Sequence, residues 1–249
     1  LRLADNVGLA AAADRDDVAA VFVFDDAVLA HASDVRVRRL LDGLAALRAE
    51  YRDRGSDLLV AHGDPETVIP ELAGALDADR VVWNRDYSGL ARERDAAVRR
   101  ALNDAEIARE AHHDAVLHTP DSIRTNAGDP YSVYTYYWKK WTDRATDPPR
   151  PTPASSDLVD AEAVTAAVEG AEGGAVTDGG LAARDVAVGD LPDPAALGFS
   201  EPEAEVGPAG TKAARDRLSA FLDEAVFSYD AERDYPAKDA TSRLSAFLK

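Results

Sequence analysis

Residues 18–24 read Val-Ala-Ala-Val-Phe-Val-Phe and run directly into Asp25-Asp26. Seven uncharged residues, rich in β-branched and aromatic side chains, are too few for a buried helix. They suit a parallel strand covered on both faces. The segments that follow keep the same grammar. From Val35 to Arg54 a helix shows Leu40, Leu41, Leu44, Leu47 and Tyr51 on one face, and Gly55 ends it. Leu58 to Ala61 is a second short strand. Asp64 then stands as N-cap and Pro65 at the first position of a helix that turns Val68, Ile69, Leu72 and Leu76 inward. Arg80 to Trp83 is a third strand, with Asn84 to Tyr87 as the loop at its carboxyl end. Arg92 to Leu102 is a charged helix, and Ile107 to Ala111 a weak fourth strand. Ahead of all this, Leu1 to Asn6 is a loop in which Asp5 or Asn6 caps a helix of Val7 to Ala13.

Strand and helix alternating at this spacing predict an α/β fold with a doubly wound, open parallel sheet. Ligands of such sheets lie outside the carboxyl ends of the strands, a rim that here holds Asp25, His62, Asn84 and Asp86. No strand is followed by G-x-G-x-x-G or by a G-x-x-x-x-G-K-[ST] phosphate loop. Gly170, Gly173 and Gly174 sit in low-complexity sequence without a strand before them, and carry no nucleotide motif.

Composition narrows the function. The 249 residues carry 46 Asp and Glu against 28 Lys and Arg, a net charge of −18, and Lys is rare beside Arg. An even acidic coat keeps a chain soluble in concentrated salt and opposes unaided binding to nucleic acid, which needs clustered cations. The Ala/Asp/Arg bias points to a salt-loving, GC-rich source. There is no Cys, so disulfides and thiolate metal sites are excluded. His112, His113 and His118 lack the i, i+4 spacing of a metal site, and no metal is expected. There is no Met either, so an initiator was removed or Leu1 is not the native start. No apolar run approaches the roughly 20 residues of a membrane span, and a cytoplasmic monomer is expected.

Beyond the α/β segment, His113 to Asn126 reads as loop, and Gly128-Asp129-Pro130 turns into a helix from Tyr131 to Asp143. Tyr131, Tyr134, Trp138 and Trp141 form one stripe on it, the spacing of a core face. Residues 148–190 are acidic and Pro/Ala/Gly-rich, the composition of an extended, partly disordered linker. Thr211 to Val226 is an amphipathic helix using Ala214, Leu218, Phe221, Leu222 and Ala225. The string RLSAFL occurs at Arg217–Leu222 and again at Arg243–Leu248, which two amphipathic helices explain. Pro236 breaks the helix before it. Thr241 and Ser242 then open a last helix with Leu244, Phe247 and Leu248 on one face, where their hydroxyls cap it or share an anionic phosphate.

Four separated strings, taken in order, carry a resemblance. They are LRLADN at the start, N-x-D-Y-x-x-x-A-R-x-R-D from Asn84 to Asp95, I-x-T-x-x-G-D-P-Y-x-V-Y-T-x-[YF]-W-x-x-W from Ile123 to Trp141, and RDYPA with TSRLS from Arg233 to Ser245. Together they resemble the photolyase/cryptochrome family over nearly the whole chain except the linker. The resemblance implies a Rossmann-like antenna domain over 1–147, an interdomain linker over 148–210, and the first helices of an all-α FAD-binding domain over 211–249. In that family LRLADN follows directly on a central strand, so the chain is expected to lack that strand and most of the FAD domain. Tyr229, Thr241, Ser242, Leu244 and Ser245 match positions that touch FAD. Arg243 belongs to the same string, with Asp234 or Asp239 as its candidate ion-pair partner, and Arg233 matches an arginine near the DNA-facing side.

The implied function is light-driven repair of cyclobutane pyrimidine dimers by an electron from reduced FAD, with damaged DNA as partner. No side chain of this chain is expected to be catalytic, since the photochemistry is the flavin's. Trp83, Trp138 and Trp141 match none of the family's relay tryptophans. Asn84 and Asp86 match the region that holds a folate, deazaflavin or flavin antenna, although Ser88 stands where binders of the first two commonly carry Glu. An Asx turn is the alternative role for both residues. Two rival functions share parts of this pattern: a cryptochrome photoreceptor without repair, and a non-enzymatic nucleotide-binding α/β module, which would need a Gly-rich phosphate loop.

At low ionic strength the like charges repel over a long Debye length, and about 1 M salt screens them to about 3 Å. The midpoint of thermal unfolding is therefore expected to rise with KCl. A midpoint that is flat or falling between dilute buffer and molar salt would count against the acidic coat as a salt adaptation.

Overall fold

The computed structural model describes residues 2–166 and 191–247. Its first part alternates helix and strand: α1 (Val7–Ala13), β1 (Ala20–Phe24), α2 (Asp26–Leu29), α3 (Asp34–Arg52), β2 (Leu58–His62), α4 (Pro65–Ala75), β3 (Arg80–Asn84), α5 (Gly89–Asp104) and β4 (Ala108–His112). Every strand falls within two residues of its sequence expectation, because each is a short apolar run bounded by turn chemistry. β1 pairs with β2 in parallel from Ala20–Leu58 to Phe24–His62. β3 pairs with β4 in parallel from Arg80–Ala108 to Asn84–His112. The α/β class with parallel strands is thus as expected. Among the described residues, however, the strands form two separate pairs and not one continuous sheet. The two pairs differ in burial: Leu58 to Ala61 of β2 are all buried, whereas no residue of β3 is.

The main core lies between β1, β2 and α3. Val37, Leu41, Leu44, Leu47 and Tyr51 of α3 are buried with Phe24, Leu58 and Val60. Each such side chain contributes on the order of 2 kcal/mol by leaving water. Leu40, expected on this face, is only half-buried, and Val37 takes the place one turn earlier. Gly55, at φ +79°, supplies the left-handed residue that ends α3. Immediately after it, Asp57 accepts from buried Arg48 at 2.6 and 3.0 Å, from Arg52 at 3.1 Å, and from the Leu58 N–H at 2.8 Å. The end of α3 is thereby fastened to the start of β2. Burial pushes the Asp57 carboxyl up, but the hydrogen bonds from Arg48, Arg52 and Leu58 outweigh it and hold it below the ordinary value.

On the other strand pair, α1 is seated by Asn84. The Gly8 N–H donates to Asn84 Oδ1 at 2.9 Å, and Asn84 Nδ2 donates to Asn6 Oδ1 at 2.7 Å. A Cβ on Gly8 would stand 2.7 Å from Asn84 Oδ1, so the close approach requires glycine. Asn6 is the N-cap, accepting from the Leu9 N–H at 3.1 Å.

The linker is not loose where it is described. Val18 bridges to Leu158, with the Val18 N–H donating to Asp157 O at 2.9 Å, and Leu158 is buried. A helical stretch over 161–166, here α7, buries Val164 completely against Leu59, Val68 and Leu72. Leu191, Leu197 and Phe199 pack on the main core. The part of the disorder expectation that covers 167–190, with Gly170, Gly173 and Gly174, lies outside the described residues.

The aromatic stripe expected to be a core face is not buried. The aromatic helix α6 (Tyr134–Asp143) buries none of its residues, and Tyr134 is 74% exposed. Tyr131 precedes the helix, its ring meeting Tyr137 edge-on at 6.5 Å. Helical spacing identifies an apolar face but not what covers it, and no described element covers this one. The helices α8 (Gly210–Asp223) and α9 (Tyr229–Glu232) follow, and α8 packs along α3.

Breaking the buried ion pair is expected to cost about 3 kcal/mol, because Arg48→Ala leaves the buried Asp57 with the exposed Arg52 as its one cationic partner among the described residues. The folded pKa of Asp57 is lowered, so its stabilisation is present above the unfolded carboxyl value and is lost as pH falls through the folded one. Arg48→Ala should therefore narrow the gap in stability between pH 7 and strong acid. Denaturant melts at the two pH values measure it, and a cost that is the same at both would show that Asp57 is not the group responsible.

Candidate functional site

The residues matched to the flavin string gather around α8. Arg217, in the middle of that helix, reaches the segment after Pro236. Its Nη1 and Nη2 donate to the two carboxylate oxygens of Asp239 at 2.8 and 2.6 Å. Nη2 also donates to Thr241 O at 2.7 Å, and Nε to Ser242 O at 2.9 Å. One guanidinium thus fixes a carboxylate and two successive carbonyls. Arg243 approaches the same carboxylate, with Nε 3.1 Å from Asp239 Oδ1. Of the two partners considered for Arg243, Asp239 is the one it meets. The two arginines occupy the same position in the repeated RLSAFL string. The repeat therefore brings its arginines together on one acid.

The hydrogen bonds from Arg217, together with the nearby positive charges, hold the Asp239 carboxyl below its ordinary value. After Asp239 the chain buries Ala240, turns through Arg243 at φ +52°, and forms a four-residue 3-10 turn, Leu244–Phe247. The α-helix expected to open at Thr241 is not formed. Thr241 and Ser242 give their carbonyls to Arg217, and the left-handed residue at Arg243 is incompatible with a continuous right-handed start. Leu248 lies outside the described residues. Ser242 Oγ accepts from the Leu244 N–H at 3.5 Å, a long contact, while the hydroxyls of Thr241 and Ser245 have no partner among the described residues. At the far end Phe247 lies under the Arg39 guanidinium of α3, 4.4 Å from ring centroid to Cζ.

Tyr229 lies on the same support. Its ring meets Phe221 of α8 edge-on at 6.1 Å and is 40% exposed. Arg233 stacks over Tyr229 at 5.6 Å and pairs weakly with Asp230 at 3.8 Å, so its visible contacts are those of an exposed salt bridge. α8 is itself held to α3 by a close approach. Gly210 has φ +87°, and a Cβ there would lie 2.6 Å from the Ala46 Cβ. Arg39 Nη1 adds a hydrogen bond to Gly207 O at 2.6 Å.

At the rim of the strands, the side chains expected to meet an antenna are engaged by the protein. Asn84 ties β3 to α1, and Asp86 accepts from the N–H groups of Tyr87 at 2.5 Å and Ser88 at 3.0 Å, an Asx turn ahead of α5. Ser88 is the N-cap of α5. Asp25 caps α2 through the Ala27 N–H at 2.8 Å, and His62 Nε2 meets Asp26 Oδ1 at 2.7 Å. His113 stacks on Tyr87 and shares a 2.7 Å hydrogen bond with its hydroxyl, while His118 meets Trp141 O at 3.1 Å. Among the described residues, no three His, Asp or Glu side chains form a group that could hold a metal ion.

These features define an α/β domain of parallel βα units whose following helices carry a hydroxyl-rich segment fixed by arginine. Known proteins are similar to this chain along its length. A family model for DNA photolyase matches residues 1–155. A deoxyribodipyrimidine photo-lyase of Halobacterium salinarum is 52% identical over 263 residues, covering 100% of this chain and 50% of that protein. An uncharacterized 31.6 kDa protein of Synechococcus is 37% identical over 252 residues, covering 100% of this chain and 81% of that protein. A class III photolyase structure from Agrobacterium tumefaciens superposes with a TM-score of 0.67 at 29% identity, covering 98% of this chain and 47% of that one. The chain belongs to the DNA photolyase family. It spans about half the length of the photo-lyase relatives it matches. The acidic composition is in keeping with the Halobacterium relative, and no helix among the described residues is long and apolar enough to cross a membrane.

Sequence reasoning named Tyr229, the 241–245 string and, as a partner for Arg243, Asp239, but gave Arg217 no role beyond the repeat. The one signal that could have found that role is the repeated RLSAFL, whose two arginines flank a single acidic segment. Replacing Gly210 tests the support beneath the site. Gly210→Ala combines a disfavoured positive φ with a 2.6 Å clash against Ala46, and is expected to destabilise the protein by about 2 kcal/mol. A control at Gly43, in a helix and with nothing near its built Cβ, should instead stabilise as alanine by about 0.5–1 kcal/mol. Paired denaturant melts read both, and equal effects of the same sign would refute the close-approach account.

Proposed function

We propose that this chain forms the α/β antenna domain, the linker and the opening of the flavin domain of a photolyase that repairs cyclobutane pyrimidine dimers in DNA in the light. The observation that carries the reading is the 239–247 segment. It matches the family string, the hydroxyls of Thr241 and Ser245 have no partner among the described residues, and two arginines offset the charge of Asp239 in the same segment. Those residues fit one edge of a flavin dinucleotide. Hydroxyls donate to phosphate or ribityl oxygens, and the neutralised Asp239 removes a repulsion that would otherwise oppose an anion.

Within this reading Thr241, Ser242 and Ser245 bind, Leu244 packs, and Tyr229 lines the flavin's edge from α9. Reduced FAD, when bound, supplies the electron that splits the dimer. The protein's part is position and electrostatics. Arg233, exposed beside Tyr229, stands on the side expected to face DNA. A net charge of −18 over these residues leaves the remaining contacts with damaged DNA to a helical part outside this chain. An antenna chromophore at the strand rim would have to displace or share the hydrogen bonds that Asn84 and Asp86 already make.

The test is made on the protein in full and on residues 1–249 alone. The full protein should purify with flavin absorbance and remove dimers from a thymine-dimer oligonucleotide only under illumination. The 249-residue piece should purify colourless, because one wall of a pocket loses most of the burial that holds a ligand. A full protein that holds FAD but shows no light-dependent repair would favour the cryptochrome function. Stoichiometric FAD on the short piece would place the flavin site elsewhere.

A further inference from the structure

We propose that Arg217, which lies outside the string that resembles the flavin-clasping segment, is the positioning residue of that segment and sets the affinity for FAD. The inference rests on the reading that residues 241–245 hold the flavin. Four hydrogen bonds leave this one side chain, two to Asp239 and one each to the carbonyls of Thr241 and Ser242. Together they span the stretch where the chain leaves Pro236 and turns toward the hydroxyls.

The geometry separates two duties. By taking up the backbone carbonyls of Thr241 and Ser242, Arg217 orients the peptide planes while leaving the Thr241 hydroxyl without a partner among the described residues. A segment held by hydroxyls that donate within the protein would have to give up those bonds to donate to a ligand. By facing Asp239 with both terminal nitrogens, Arg217 also offsets the one carboxylate inside the segment, next to where an anionic diphosphate would lie. Arg243 shares that acid but is 60% exposed at its side chain, against 24% for Arg217, so Arg217 is the better-shielded partner.

The packing gives Arg217 a fixed base. It projects from α8, which rests on α3 through Gly210 and Ala46. The other end of the segment is secured separately, by Phe247 beneath Arg39. Loss of Arg217 should therefore free residues 239–245 without undoing the fold. Lysine in its place could reach Asp239 but not also satisfy two carbonyls in a planar fork.

Three variants of the full protein test this: Arg217→Ala, Arg217→Lys and Asp239→Asn. Two readouts apply besides repair: hydrogen exchange over 239–247 in the flavin-free protein, and the Kd for FAD by flavin fluorescence. Arg217→Ala should raise exchange over 239–247 and weaken FAD by roughly tenfold or more, with the global unfolding midpoint little changed. Arg217→Lys should be intermediate. Asp239→Asn, which keeps the carbonyl contacts, should open the segment less than Arg217→Ala does. Unchanged exchange over 239–247 would overturn the proposal, as would an FAD affinity that stays at the wild-type value or falls only in step with global stability. Failure of the wild-type protein to take up FAD would overturn the flavin reading itself, and is told apart because exchange reports the segment without flavin.

Discussion

Helix α3 has to satisfy two faces at once, and most of the described structure follows from how it does so. Its apolar stripe from Val37 to Tyr51 must leave water, and β1 and β2 together supply the surface that buries it. Its far end carries Arg48, a buried guanidinium whose charge Asp57 meets with both oxygens. That pair fixes the register between the helix and the strand that follows. The opposite side of α3 then becomes the seat for what comes later in the chain: Ala46 receives α8 at Gly210, Arg39 reaches Gly207 and Phe247, and Arg38 reaches Glu201. The α/β domain and the C-terminal helices are thus coupled through one helix, not merely strung on a linker.

Much of the fold was legible for a plain reason. Short apolar runs punctuated by Gly, Asp and Pro have few alternatives, so the strands and α3 fell close to where periodicity put them. Gly55 and Asp64-Pro65 marked their boundaries by backbone chemistry that no other residues supply as cheaply. The misses have a common cause. Periodicity reports a face, not its neighbour, so the aromatic stripe of α6 read as core although no described element covers it. Composition likewise marked 148–190 as linker, yet single apolar residues, Leu158 and Val164, suffice to dock its described part. Asn84 shows the same limit at the rim. An amide at the carboxyl end of a strand can serve a ligand or a neighbouring helix, and its type and position alone do not choose between them.

The acidic composition reframes the arginines. In a chain with 46 acids and 28 bases, almost any cation finds a carboxylate, and most such surface pairs contribute little. Those that matter are the few in which a guanidinium makes several bonds in one plane. Arg48 does so at Asp57, and Arg217 does so at Asp239 and two carbonyls. Lysine could not replace either, since a single ammonium cannot present that fork. A preference for Arg over Lys is therefore a structural resource here as well as a compositional habit.

Between Asp239 and Ser242 the chain is fixed through its carbonyls and not through the Thr241 hydroxyl. A hydroxyl whose O–H already donates within the protein must give up that bond when a ligand arrives, and the ligand gains only the difference between two hydrogen bonds. Between Asp239 and Ser242 the backbone is held from behind, by a side chain that makes no use of the Thr241 hydroxyl. The ordering cost of that stretch is met on folding and not on binding, which is the advantage of preorganisation. The same economy explains the short 3-10 turn. A continuous α-helix from Thr241 would draw its carbonyls into the helix ladder and away from Arg217, so the positive φ at Arg243 is the local strain that keeps them available.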